Sequence, residues 1–427
     1  MQVLALLLNG KNSFAQLKAH TRLSKTALAN HLNQLIERQL VQRKGRGKYQ
    51  LTDDGRELLI AAAKVFEEST IREEERQVRM RHAYTEGIRE RKGMSKRIIS
   101  KPAEYQTCWI SYTGAVAGAL QALGADCDAV DVGGRTGYAF LINVSDNSTC
   151  PSGPTAFWLD IWNEIVKATE DLGWTIEEFD DESVDVAEKP SPEEYARSEK
   201  LFEKVKLEID EKDRPVVMWG LVIPEYGIVN GYEGNTYLTS TYRSLGNLSE
   251  DPVPFFSLRA PGHLHALFFR EQVKQKQVDI NRRALARAIR FTKGNVPTHK
   301  QYVAGPAALD TWATLLETLP LEKQNYHGNS YVGACVWEGR AMAAEFIERL
   351  AKQAPKRAMK HLLAAAECYT EGKKHMKKFM ELFPFNFEGE MPLEKRKRGA
   401  AILRKVKPIE EAAIKHMQKA LDAWKSS

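Results

Sequence analysis

The segment SKTALANHLNQLIERQLVQRKGRGKYQLTDDG, residues 24–55, restricts the fold of this chain more than any other. Leu28, Leu32, Leu35 and Ile36 recur at i, i+4, i+7 and i+8, so a helix here has a single apolar stripe. Ser24 stands where an N-cap belongs. The opposite face carries Lys25, Thr26, Ala29, Asn30 and Asn33, with His31 beside them. Small and polar side chains of this kind suit a helix laid against base edges and phosphates. LVQRKGRGKYQLT then reads as two short strands turned at Gly45-Arg46-Gly47, and Asp53-Asp54-Gly55 starts another helix. Arg43, Lys44, Arg46 and Lys48 decorate the hairpin, and cations this dense repel one another unless phosphate or solvent takes them up.

Upstream, Val3, Leu4, Leu6, Leu7 and Leu8 make an apolar first helix, and FAQLKAH, from Phe14, a short second one. Helix, helix, polar-faced helix, basic hairpin, helix is the order of a winged helix-turn-helix. The stretch resembles bacterial and archaeal regulators of the ArsR/MarR type through Ser24, His31-Leu32, Leu35, Gly45–Gly47 and Leu51-Thr52-Asp53-Asp54-Gly55. The resemblance implies contacts to double-stranded DNA from Ser24, Lys25, Thr26, Asn30, His31, Asn33, Arg43, Lys44, Arg46 and Lys48. Folds of this kind also serve as protein-binding modules, which is the alternative.

Charge supports the first choice. Residues 1–60 hold ten Lys/Arg against four Asp/Glu, an excess equal to the +6 of the whole chain. Residues 164–213 are acidic, with EEFDDESVD at their centre, and the last fifty or so are basic again. Segregation of this sort points to an anionic partner for the N-terminal piece. With 427 residues, 43% apolar and 28% charged, the chain has room for two or three globular domains. No apolar run approaches the length of about 20 residues that a membrane helix needs. The opening VLALLL lacks the basic flank and cleavage site of a signal peptide. Five scattered cysteines (108, 127, 150, 335 and 368) without a CxxC pair suggest reduced thiols in a cytoplasm.

Residues 62–92 have the look of a long, charged helix. Its heptad pattern is ragged, so it reads as a pairing helix of a homodimer or as a solvated spacer. Half-site recognition by paired subunits favours the homodimer. KGMSKRIISKPAE (92–104) marks a boundary.

Beyond it, CWISYTGAVAGALQALGAD suggests a helix whose small residues let another element approach. VDVGGRTGYAFLINV reads as strand, glycine turn, strand. FWLDIWNEIVKATEDLGW reads as a helix, followed by an acidic loop to about residue 192, and residues 214–240 as two or three strands with Gly231 and Gly234 at turns. After HLHALFF the chain turns helical.

Order and glycine pattern resemble the N-terminal domain of the butirosin-biosynthesis BtrH family, related to papain-like cysteine peptidases and acyltransferases. The matching features are Cys108 opening a helix, Gly134-Arg135-Thr136-Gly137-Tyr138-Ala139-Phe140, the strand into Gly231-Tyr232, and Ala304-Gly305 to Trp312. The resemblance implies a nucleophile position at Cys108, activated by a helix N-terminus. A thiolate nucleophile needs a histidine. The run where that histidine would stand, Pro224-Glu225-Tyr226-Gly227-Ile228-Val229, has none, and His263 and His265 lie further on. A lone cysteine is otherwise a small buried hydrophobe.

HLH (263–265) has no ligand cluster beside it, so no metal is expected. Gly133-Gly134-x-x-Gly137 has the wrong spacing for a dinucleotide fingerprint, and no cofactor is expected. Trp109, Tyr112, Trp158, Trp162, Trp219, Tyr226 and Tyr232 fall in segments the fold would bring together. A small-molecule site is therefore expected at Cys108, Trp109, Tyr112, Thr113, Arg135, Trp219, Glu225, Tyr226 and Tyr232, unless the aromatics are simply core.

The whole reads as an α+β chain. It comprises a winged helix-turn-helix (1–62), a linker or dimerisation helix (63–101), a papain-like α+β sensor domain (102–270) and a helical extension (271–427). The expected function is a cytoplasmic transcription regulator whose pseudo-enzyme domain senses a small molecule or mediates assembly, with no membrane partner. The rival is a Cys108-dependent acyltransferase or amidohydrolase carrying a DNA-binding module. A third option is an architectural protein whose basic C-terminal helices also bind nucleic acid.

Overall fold

The computed structural model describes residues 2–8, 12–21, 23–58, 95–185, 189–246 and 248–425. It divides into two compact units, Met1–Ala83 and Tyr84–Ser427. Most of the expected linker helix falls on residues 59–94 and lies outside the described residues.

The small unit runs α1 (Gln2–Leu8), α2 (Phe14–His20), α3 (Lys25–Glu37), β1 (Val41–Gly45) and β2 (Lys48–Leu51), and residues 53–58 are helical again. Ser24 caps α3 as its sequence position predicts, its hydroxyl accepting from the Ala27 amide at 3.1 Å. Ser13 does the same for α2 in a capping box with Gln16. Leu28 and Leu32 turn inward with Val3, Leu4, Leu7, Leu17, Val41, Tyr49 and Leu51, and full burial of each leucine stabilises the unit by about 2 kcal/mol. Arg46-Gly47 forms the hairpin turn, and φ of +70° at Gly47 lies in the left-handed region that favours glycine. The Leu51-Thr52-Asp53-Asp54-Gly55 pattern has a local cause. Thr52 Oγ1 donates to the Gln39 carbonyl at 2.6 Å and accepts from the Gly55 amide at 3.1 Å. A Cβ on Gly55 would meet the Leu40 carbonyl oxygen at 2.1 Å.

The large unit is built on a seven-stranded antiparallel sheet. Its strands are β3 (Lys96–Ile98), β5 (Trp174–Asp185), β6 (Val216–Trp219), β7 (Tyr226–Glu233), β8 (Thr236–Ser240), β9 (Val253–Pro254) and β10 (Arg259–Gln272). The order is β5-β10-β6-β7-β8-β9, with β3 beside the far end of β7. A separate two-stranded pair joins β4 (Asn143–Ser145) to β11 (Tyr302–Ala304). The helices are α4 (Ser111–Ala122), α5 (Ala129–Thr136), α6 (Leu159–Thr169), α7 (Pro192–Leu207), α8 (Gln277–Thr292), α9 (Pro306–Thr318), α10 (Tyr326–Gln353), α11 (Lys356–Leu382) and α12 (Leu393–Lys425). The mixture of helix and sheet is α+β. Among the described residues no helix is long and apolar enough to cross a membrane.

Several elements differ from the sequence reading, each for a tertiary reason. VDVGGRT is helix α5, capped by Asp128 in a capping box with Asp131 and ended by left-handed Gly137. Its glycines serve packing, since a Cβ on Gly134 would fall 2.1 Å from the Phe346 ring on α10. The acidic run after Trp174 is strand β5, not a loop. Phe179 and Val184 point inward, while Asp181, Glu182 and Asp185 pair with Lys200, Arg197 and Arg259. Gly231 lies within β7 and not at a turn, because β3 passes so close that a Cβ would meet the Arg97 carbonyl oxygen at 2.3 Å. Gly234 does turn the chain.

The boundaries shift accordingly. Residues 96–98 belong to the sheet of the large unit and not to a linker. The expected break at 270/271 is bridged by one continuous core, in which Phe268 and Leu201 share a cluster with Phe346, Tyr369 and Trp424 of the helical part. Helix α4 has buried side chains all round from Tyr112 to Leu120. Its small residues admit the chain just before it, as a Cβ on Gly118 would sit 2.0 Å from the Glu104 carbonyl oxygen.

Candidate functional site

In the small unit, the ten residues picked out by sequence all have exposed side chains: Ser24, Lys25, Thr26, Asn30, His31, Asn33, Arg43, Lys44, Arg46 and Lys48. The apolar stripe of α3 fixes this, because burying Leu28 and Leu32 turns Asn30, His31 and Asn33 out. Arg43 Nη2 donates to Asn33 Oδ1 at 3.0 Å, tying the hairpin to the polar face of α3. The hairpin is held from its other side as well. The Phe14 amide donates to the Gly47 carbonyl at 2.9 Å and the Tyr49 amide to the Asn12 carbonyl at 2.8 Å.

In the large unit, most of the expected ligand residues gather where α4 begins and β7 starts. Ser111, the first residue of α4, donates its hydroxyl hydrogen bond to Glu225 and accepts from the Tyr226 amide at 3.0 Å. Tyr331 donates to the other Glu225 oxygen at 2.5 Å. Burial pushes the Glu225 carboxyl up to about 7, against the pull of these two hydroxyls. Close by, Glu338 accepts from the Ile110 amide at 2.8 Å, and burial raises it to about 7 as well. Ser111, Tyr331 and Glu338 were missed by sequence reading. Only Ser111, at the start of a helix, left a local signal.

Cys108 lies three residues ahead of α4 and not at its first turn. Burial, then the nearby Glu338 charge, push its thiol up to about 12, with the Thr113 hydroxyl opposing. A helix N-terminus activating a thiolate was the expectation, and the environment does the reverse. Among the described residues no histidine hydrogen-bonds to Cys108. His265 instead bonds through Nδ1 to the Tyr226 hydroxyl at 2.9 Å and through Nε2 to Glu178 at 3.2 Å.

The aromatics do come together, but as packed interior. Tyr226 stands edge-on to Tyr112 with centroids 5.1 Å apart, and Trp219 lies 5.1 Å from Tyr226. Tyr112, Thr113 and Tyr226 are buried, and Trp219 Nε1 donates to the Pro261 carbonyl at 3.2 Å. Trp109 leans on Phe385 at 4.7 Å. The cavity beside Ile110, Tyr138 and Cys335 holds about 20 Å³, room for one water. Tyr232 sits at the opposite end of β7, bonded to Asp210 at 2.9 Å. Trp158 instead lies tilted against His299, centroids 4.6 Å apart.

Arg135 alone reaches an open space. With Gln121, Asp126, Cys127, Asp128, Asp131, Asn281, Phe346, Arg349, Lys352 and Gln353, it lines a cleft of about 510 Å³ among α5, α8 and α10. That volume falls in the range of small-molecule sites. Arg349 pins one wall: Nη1 donates to Asp128 and Asp131 at 2.9 Å each, and Nη2 to Asp128 at 2.7 Å. Burial lowers the Arg135 guanidinium from its ordinary value, with Asp131 opposing. Among the described residues, no group of three or more His, Cys, Asp and Glu side chains is placed to hold a metal ion.

No protein-family model matches this chain, and a search of curated proteins finds no matching sequence.

Proposed function

We propose that the chain is a DNA-binding transcription regulator, in which α3 is the recognition helix of a winged helix-turn-helix and the β1–β2 hairpin its wing. The carrying observation is that the ten polar and cationic side chains are all exposed on α3, its cap and the hairpin, with Arg43 bonded to Asn33 between them. Base-reading groups on the helix and phosphate-neutralising groups on the hairpin divide the work as DNA recognition requires. The large unit is read as a papain-like domain that takes up a small effector in place of turning a substrate over. Its raised, histidine-free Cys108 supports that reading over a thiol-dependent acyltransferase or amidohydrolase.

In this scheme the protein acts as a homodimer. Effector binding shifts the population toward one placement of the paired recognition helices, altering their match to half-site spacing. Five free cysteines fit a reducing cytoplasm. The test is DNA binding by the full chain across a salt series, with Arg43, Lys44, Arg46 and Lys48 replaced by alanine in parallel. Weaker binding with a flatter salt slope supports the wing, and unchanged binding sinks it.

A further inference from the structure

We infer that the cleft around Arg135 is a site for a small organic carboxylate, whose acid group pairs with the Arg135 guanidinium. The inference rests on the sensor reading above and gives it a location and a ligand class.

Charge bookkeeping within the cleft leads there. Arg349 is occupied by Asp128 and Asp131. Arg135 has no carboxylate within ion-pair distance among the described residues. Its neighbours are two neutral amides: Asn281 Oδ1 at 3.5 Å from Nη1, and the Gln277 amide, which with its oxygen turned inward lies 2.9 Å from Nη2. Two amide oxygens satisfy only part of the five N–H donors of a guanidinium. The charge is partly desolvated, with Asp131 and Asp171 near it but outside ion-pair distance, and a carboxylate bonded directly to the fork would fill its remaining donors. Lys352 and Asp126 have no ion-pair partner among the described residues, so the lining sets three acids against three bases and is neutral overall, and Arg135 is its guanidinium without a carboxylate in ion-pair distance.

The geometry separates a carboxylate from a phosphate. Phosphate sites collect several donors, commonly backbone amides at a helix N-terminus. Here the start of α5 is already filled by its own acids. Asp128 Oδ1 accepts from the Asp131 amide at 3.0 Å, and Asp131 reaches back to the Asp128 amide. What remains is one planar fork, which matches a planar carboxylate. The walls are preformed, since Arg349 ties α10 to the cap of α5 and Gln353 accepts from Asn281 at 2.9 Å. Cys127 also lines the cleft, but burial and the nearby aspartates push its thiol up to about 12, which favours non-covalent binding.

The test is calorimetric titration of the full chain with succinate, with L-glutamate and, separately, with inorganic phosphate. Succinate or glutamate is expected to bind with a Kd of about 1 mM or tighter. Arg135→Gln should weaken this by about tenfold or more, with Arg135→Lys intermediate because charge survives and the fork is lost. A thermal melt of each variant checks that the unit stays folded. Absence of binding by both acids, or equal binding by Arg135→Gln, overturns the site. Phosphate binding more tightly than either acid, with the same Arg135 dependence, overturns the carboxylate assignment. DNA affinity is measured on the same samples. Arg135-dependent binding that leaves DNA affinity unchanged keeps the site and refutes the sensor reading.

Discussion

Arg340 and Glu410 face each other with both side chains wholly buried, Nε donating to Oε1 at 2.7 Å and Nη2 to Oε2 at 3.0 Å. The pair joins α10 to α12, and Arg340 Nη1 also donates to the carbonyls of Ala139 and Leu141 at 3.2 and 3.3 Å. Removing one partner strands a charge in the interior. Glu410→Gln or Arg340→Met should therefore cost about 3–5 kcal/mol. The double variant to apolar residues should recover much of that, as desolvation is then relieved for both. Urea unfolding of the four proteins reads this out, and single variants within about 1 kcal/mol of the parent would contradict it.

On the proposed DNA-binding reading, Asn30 on α3 and Lys48 on the hairpin should fail differently. Lys48→Ala should weaken binding to all DNA sequences alike and reduce the salt slope by about 1. Asn30→Ala should leave the slope alone and relax sequence preference at one position, at about 1–3 kcal/mol. Anisotropy titrations on a site and its point variants, at two or more salt concentrations, separate the two patterns. The same pattern for both would mean that α3 does not read bases.

Cys108 should be inert in the folded protein. With its thiol raised to about 12, iodoacetamide at neutral pH should label it only when the chain is unfolded. Cys108→Ala should keep DNA affinity. Fast native labelling of this residue, mapped by mass spectrometry, would reinstate the acyltransferase or amidohydrolase reading.

Glu225 should make stability fall as pH rises. Its folded carboxyl is raised to about 7 from an ordinary 4.5, so its contribution is fully present below about 4.5 and is lost as pH rises through 7. The penalty above pH 7 is on the order of 3 kcal/mol. Glu225→Gln keeps shape and hydrogen-bonding capacity without the charge, so it should stabilise the protein at pH 8 and be near neutral at pH 4. Denaturant midpoints at the two pH values check this, and equal effects at both would show that Glu225 titrates normally.

Local patterns carried the reading of the small unit. The Ser24 cap, the Leu28–Leu32 stripe and the cationic hairpin each depend on neighbours within a few residues, and each is present. The large unit is governed from a distance. Gly134 is a glycine because Phe346 occupies the space of its Cβ, and no window around residue 134 contains that fact. The acidic stretch of β5 becomes a strand because Lys200, Lys204 and Arg270 supply its countercharges. Tyr112, Trp162, Trp219 and Tyr226 meet while Trp158 and Tyr232 stand elsewhere, and sequence cannot distinguish a lined cavity from a filled one. Arg135 was legible as a polar residue near glycines. That Arg349 would bond Asp128 and Asp131 and leave Arg135 with amide bonding neighbours only depends on α10, about two hundred residues later.

Strand β7 has one further consequence. One end begins at Tyr226, next to Glu225 and Ser111, and the other pairs with β3, the first described strand of the large unit. The seam comprises three paired residues, a Lys96–Glu233 contact at 3.1 Å, the notch at Gly231 that lets Arg97 seat closely, and flanking bonds from Gly234 to Ser95 and from Ser100 to Asp213. Tension carried along the chain from the N-terminal side would be borne first by this short seam. It would peel before the longer β5–β10 and β7–β8 pairings feel any load, making the seam a mechanical fuse.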